Sequence, residues 1–157
     1  MKCILTSDSH GNSLGFDKLF QEENFDFLFF MGDGVRDLGL YANLAQVYAV
    51  SGNCDYFCDE PNEKQITLCG KKILITHGNK YGVKSGLGQL VTYAKSLGVN
   101  YVFYGHTHKY DVQLIDGIYF INPGSFRASS DGECKYITMY LGERGCNVEQ
   151  STLSLYD

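Results

Sequence analysis

Four histidines and a few carboxylates are the residues best suited to chemistry in this 157-residue chain, and every histidine lies in a short cluster with Gly, Asp or Asn neighbours. The clusters are Ser7-Asp8-Ser9-His10-Gly11-Asn12, Gly32-Asp33-Gly34, Gly52-Asn53-Cys54-Asp55, Thr76-His77-Gly78 and Gly105-His106-Thr107-His108, and Asn122-Pro123-Gly124-Ser125 closes the set. A lone GD or GN after a strand is ordinarily a turn, and a lone strand-end histidine is ordinarily a hydrogen-bonded structural residue. His106 and His108 say more, because a period of two puts both side chains on one side of an extended segment. Turn chemistry does not explain why all four histidines fall in such clusters. Asp8, His10, Asp33, Asn53, His77, His106 and His108 together offer too many ligands for one ion. They suit two divalent ions about 3.5–4 Å apart that share one carboxylate. These O and N donors require no thiolate, and they fit Mn²⁺, with Ni²⁺, Fe or Zn²⁺ as alternatives.

Such donors act together only if the fold brings them to one place, and each cluster closely follows an apolar run. The order Lys2–Thr6, Leu14–Glu22, Phe25–Met31, a short segment near Asp37–Leu44, and Gln46–Val50 reads as βαβαβ with parallel strands. Phe27-Leu28-Phe29-Phe30 is apolar without alternation, as in a strand covered on both faces. Ile66–Leu68 and Lys72–Thr76 flank a turn at Cys69-Gly70-Lys71 and predict a hairpin. A helix is predicted from about Leu87 to Leu97, stopped by Gly98, followed by a buried strand at Tyr101–Tyr104. From Val112 onward the alternation predicts a meander of Val112–Ile115, Tyr119–Ile121, Tyr136–Tyr140 and Asn147–Leu153. Two facing sheets with helices outside would use all these elements. Ligands of open α/β sheets bind outside the carboxyl ends of strands, so the first five clusters are expected on one rim.

The length predicts a single domain spanning residues 1–157, with a core large enough to need no disulfide. A net charge of −5 and a pI near 5.3 argue against a stable nucleic-acid complex, which depends on Lys/Arg neutralising phosphates. A small anionic substrate held by cations remains compatible. No apolar stretch approaches the ~20 residues of a membrane span, and the expected location is the cytoplasm. The six cysteines, Cys3, Cys54, Cys58, Cys69, Cys134 and Cys146, are then mostly reduced thiols. Cys54 and Cys58 are spaced too widely for a zinc ribbon. A homo-oligomer is left open.

The series SDSHGN, GDG, GNCD, THG, GHTH and NPGS resembles the calcineurin-like metallophosphoesterase family, in its small bacterial and archaeal phosphodiesterase branch. The resemblance implies a four-layer αββα sandwich with two mixed sheets. It also implies that Asp8, His10, Asp33 and His108 hold one metal while Asp33, Asn53, His77 and His106 hold the other, with Asp33 as the bridge. It further places Asn12 near the substrate phosphate, although a loop-capping Asn12 is the plainer reading of such a residue. Two metals in that arrangement would activate a bridging hydroxide and neutralise charge on the phosphoryl oxygens, hydrolysing a small phosphodiester. Many relatives carry histidine after the GN of the third cluster, near the substrate. Here the position is Cys54, a poorer general acid than imidazole near pH 7, which counts against phosphomonoesters and poor leaving groups. The plainer alternative makes Cys54 a small buried filler. A phosphomonoesterase or protein phosphatase, and a catalytically inactive scaffold on the same fold, are the competing readings.

Overall fold

The protein is described by a computed structural model over residues 1–156. Strands β1 (Lys2–Thr6), β2 (Phe27–Phe30) and β3 (Val47–Ala49) run parallel, linked through helix α1 (Ser13–Glu22) and a 3₁₀ segment, Val35–Asn43. β4 (Glu63–Leu68) and β5 (Lys71–Thr76) form a hairpin, and α2 (Gly88–Leu97) leads to β6 (Tyr101–Phe103). β7 (Tyr110–Ile115), β8 (Ile118–Pro123), β9 (Glu133–Gly142) and β10 (Gly145–Ser154) complete two five-stranded sheets, ordered β10-β9-β1-β2-β3 and β4-β5-β6-β8-β7. Both are mixed: each contains three adjacent parallel strands, β1-β2-β3 at one side of the first sheet and β5-β6-β8 in the middle of the second, and the other strands pair antiparallel to their neighbours.

The period of two along each strand decides the layers. Leu5, Phe29, Ile73, Ile75 and Phe103 point between the sheets. Their neighbours Ile4, Leu28 and Phe30 point outward onto Phe16 and Leu19 of α1, and Leu74, Val102 and Phe120 point outward onto Leu90 and Ala94 of α2. The strands are apolar in succession because both faces are covered, which gives the αββα order. Each fully buried Phe or Leu contributes about 1.5–3 kcal/mol to holding these layers together.

The hairpin turn Cys69-Gly70 has positive φ at both residues, the type I′ geometry that matches strand twist. Gly98 ends α2 in the left-handed conformation, its N–H reaching the Ala94 and Lys95 carbonyls. The expected C-terminal meander is corrected. β7 and β8 form a hairpin in one sheet, whereas β9 crosses to the other and pairs antiparallel with β1, Leu5 opposite Ile137. Tyr136–Met139 is buried at four successive positions, so β9 needs cover on both faces and neighbours on both edges. Among the described residues no helix is long and apolar enough to cross a membrane.

Candidate metal centre

The six parallel strands, β1, β2, β3, β5, β6 and β8, each end beside one of the six clusters, and hydrogen bonds tie these ends into a single rim. The Asp8 N–H donates to the Gly32 carbonyl (2.9 Å) and the Gly105 N–H to the His77 carbonyl (3.0 Å). The Ser125 hydroxyl donates to the Asp8 carbonyl at 2.7 Å, so the sixth cluster joins the expected five.

Asp8, His10, Asp33, His106 and His108 all have φ between +41° and +73°, and they are five of the eight non-glycine residues with positive φ among those described. Asp and His tolerate this region better than most residues, yet each such residue still costs on the order of 1 kcal/mol or more, and such strain clusters at functional sites. The turns aim the side chains inward. His108 Nε2 lies 3.1 Å from Asp8 Oδ1 and 3.2 Å from His10 Nε2. His77 Nε2 lies 3.2 Å from Asp33 Oδ2 and 3.1 Å from His106 Nδ1. Two groups of candidate metal ligands result, Asp8-His10-His108 and Asp33-His77-His106. They adjoin: His10 Nε2 is 3.9 Å from Asp33 Oδ2, and His77 Nε2 is 3.9 Å from Asp8 Oδ1.

The donor set fits a cation. Asp8 is fully buried, and its Oδ1 has no hydrogen-bond partner. A buried carboxylate oxygen left this way is costly unless a positive charge meets it. Its other oxygen, Oδ2, accepts from the Ser7 hydroxyl and from the His106 N–H at 3.0 Å, which fixes the direction of Oδ1. His77 is fixed in the same manner: Nδ1 lies 2.6 Å from the Met31 carbonyl, so Nδ1 carries a proton and Nε2 is the ring nitrogen turned to Asp33.

Charge follows this geometry. Burial by itself would raise the Asp33 pKa, but the hydrogen bonds from His77 and the Cys54 N–H, with the charge on His77, bring it down to about 2. Burial would lower the His77 pKa, yet its hydrogen bond to Asp33 and the charges of Asp8 and Asp33 leave it raised. Burial, then the charges of His77 and Lys84, lower that of His106.

Asn53 is exposed on the Gly52–Asp55 loop, its Nδ2 3.5 Å from Cys54 Sγ. Cys54 is also exposed rather than a buried filler, and its N–H donates to Asp33 Oδ1 at 2.8 Å. Residual burial and then the Asp33 carboxylate raise the Cys54 pKa, keeping the thiol protonated near neutral pH. Asn12, which the resemblance places near the substrate phosphate, holds the loop-capping position at the start of α1. Its Oδ1 caps α1 through the Gly15 N–H (3.0 Å), while Nδ2 donates to the Phe126 carbonyl (2.7 Å) and contacts Cys134 Sγ.

The sequence reading missed the residues that hold the loops. Asp55 accepts from the N–H groups of Asp33, Gly34 and Gly52 at 2.8 Å and of Val35 at 3.1 Å. Asp37 accepts from the Ser9 hydroxyl (2.6 Å) and the Gly11 N–H (2.8 Å). Asn122 Nδ2 donates to the Gly105 carbonyl and the Thr107 hydroxyl. Asp55 and Asn122 at least belong to the clusters at strand ends, whereas Asp37, inside the 3₁₀ segment, carried no such signal.

Gly105 packs against the Asp8 carboxylate: a Cβ there would meet the Ser7 hydroxyl and lie 2.7 Å from Asp8 Oδ2. Gly105→Ala is therefore expected to turn Asp8 away and weaken metal affinity about 10–100-fold, the scale for disturbing the groups behind a ligand. Calorimetric metal titration measures this, and unchanged affinity would show that Asp8 needs no such fit.

An αββα sandwich that delivers its carboxylates and imidazoles to one rim has the build of a metallohydrolase. The profile of the calcineurin-like phosphoesterase superfamily domain matches residues 1–144, and the chain belongs to that family. It is 33% identical over 129 residues to "Probable metallophosphoesterase YsnB" of Bacillus subtilis, covering 81% of this chain and 76% of that protein. Its fold is also that of a solved archaeal phosphodiesterase, 22% identical, over 98% of this chain and 100% of that one, TM-score 0.74. Vps29 of Entamoeba histolytica complexed with Zn²⁺ shares the fold too, 19% identical over 99% of each chain, TM-score 0.77.

Proposed function

We propose that this protein is a dinuclear-metal phosphodiesterase acting on small phosphodiesters. The observation that carries the reading is the orphaned, buried Asp8 Oδ1, facing His108 beside a second group built on Asp33. Asp8, His10 and His108 would hold one ion, and Asp33, His77 and His106, with Asn53 from the same rim, the other. Asp33, whose Oδ2 lies between His77 and His10, would serve both. When bound, two divalent cations supply Lewis acidity at the phosphoryl oxygens and lower the pKa of water. The chain's own residues keep that site assembled: Asp55 and Asp37 pin the loops, and the Met31 carbonyl sets the His77 tautomer.

The diester preference rests on Cys54. A protonated thiol of raised pKa is a weak proton donor to a departing alkoxide, and the GNCD loop offers no imidazole in its place. Diesters with a good leaving group need that proton least. The likeness to an archaeal phosphodiesterase supports this choice, and six free cysteines support a reducing, cytoplasmic setting. Mn²⁺ is the first metal to try among ions that such O and N donors accept.

Treatment with a chelator is expected to abolish hydrolysis, and Mn²⁺ to restore it on linear or cyclic diesters more than on monoesters. Full activity without metal would overturn the metal reading, and faster monoester turnover the diester reading. The likeness to Vps29, Vacuolar Protein Sorting 29, favours a second reading as a scaffold. Two ions per chain without turnover of any phosphoester would favour it.

A further inference from the structure

Past Cys54, the connection to β4 carries two large aromatics that the metal ligands do not explain. Tyr56 is 70% exposed and Phe57 100% exposed. Phe57 also holds φ at +57°, a strained conformation for a bulky residue, and strain of this kind collects at ligand clamps. Single exposed aromatics are ordinary on protein surfaces. Here two adjoin one cavity of about 450 Å³ that opens directly onto the candidate centre. His10 and Asp33 form its inner wall, and Arg36, Tyr56 and Phe57 its outer one.

The charges in that cavity point to an anion with a flat appendage. Three carboxylates line it, but Asp55 and Asp37 are committed to backbone N–H groups and the Ser9 hydroxyl, and Asp33 belongs to the metal ligands. Arg36 is the one Lys or Arg in the wall, and its Nη2 lies 3.5 Å from the Tyr56 carbonyl, so cation and aromatics are placed together. A guanidinium fork matches phosphate oxygens, and aromatic rings stack on any flat π-system.

We propose that this cavity is the subsite for an aromatic substituent of the substrate, an aryl ring or a nucleobase esterified to the phosphate. The ring lies on Tyr56 and Phe57 while Arg36 pairs with a non-bridging phosphate oxygen. The assignment rests on the phosphodiesterase reading for what is bound, and it narrows the substrate to diesters that carry an aromatic group.

The test is calorimetric binding to the Mn²⁺-loaded protein of non-hydrolysable analogues of phenyl, thymidine 5′- and ethyl methylphosphonate, in each of which a CH₂ group replaces the remaining ester oxygen, each named for the ester it mimics. At least one aromatic ester is expected to bind about tenfold tighter than the ethyl ester, the scale of a single stacking contact. A phenyl preference places the ring directly on the phosphate, and a thymidine preference places a nucleobase one sugar away. Tyr56→Ala/Phe57→Ala should remove the preference, and exposure of both rings means that no core is disturbed. Arg36→Gln should weaken all three esters together by about fivefold, as for one charge-assisted contact. Leu114→Ala, an exposed change on β7, should keep the preference. Equal or undetectable affinities in the unaltered protein, or a preference that survives the double substitution, would overturn the subsite. Failure of the phosphodiesterase reading is read separately, as no turnover of bis(4-nitrophenyl) phosphate at full metal occupancy.

Discussion

Asp33→Asn is expected to leave the protein with fewer than two ions per chain and to cut phosphodiester turnover by about 10³-fold, as when a principal electrostatic contribution is lost. The carboxylate is 3% exposed and held at a pKa of about 2, so in the unaltered protein it is a full negative charge at any working pH. Asparagine can still accept the Cys54 N–H through its oxygen, which keeps the loop in place. It then turns an NH₂ toward His77 Nε2, where the carboxylate oxygen stood at 3.2 Å. The shape survives and the charge does not. His108→Ala, which removes a ligand exposed at the edge of the other group, should cost less. Elemental analysis and steady-state kinetics on both variants decide the matter. Two ions per chain in the Asp33 variant would remove the bridging assignment.

Asp55→Ala should be the most damaging substitution outside the ligands themselves. It strands four backbone N–H groups, those of Asp33, Gly34, Val35 and Gly52, all of which donate to this one carboxylate. An unmet buried donor costs about 1–3 kcal/mol, and water reaches part of this loop. The summed loss is therefore about 2–4 kcal/mol, or about 5–15 °C in Tm for a chain of this size. Metal affinity should fall with it, because Asp33 would lose the backbone that fixes its direction. Asp55→Asn keeps one acceptor oxygen and should fall between. Differential scanning calorimetry of the metal-free proteins separates the effects, and an unchanged Tm in Asp55→Ala would mean that water replaces the carboxylate without loss.

Much of the fold was legible in the chain because its signals are local. Unbroken apolar runs such as Phe27–Phe30 announced strands covered on both faces, Leu87–Leu97 with Gly98 announced α2, and Cys69-Gly70-Lys71 announced a hairpin turn. The expected sandwich of two mixed sheets follows from such segments together with the family resemblance. The C-terminal pairing was not legible. Alternation says that Tyr136–Tyr140 is a strand but not which edge it joins, and the choice of β1 rather than β8 is made by long-range burial.

The site divides along the same line. By itself, the sequence determined which residues could bear charge or ligate, because Asp8, His10, Asp33, His77, His106 and His108 stand out by type and by their places after apolar runs. Only the tertiary structure decided what each does with its partners. It left Asp8 Oδ1 without a hydrogen bond, committed Asn12 to the cap of α1, exposed Cys54, and gave Asp55 four N–H groups from two loops. The physical reason is that residue type and spacing record a side chain's capacity for hydrogen bonds and charge. Which partner takes up that capacity depends on groups distant in sequence, here as far apart as Asn12 and Phe126, that meet only when the two sheets close.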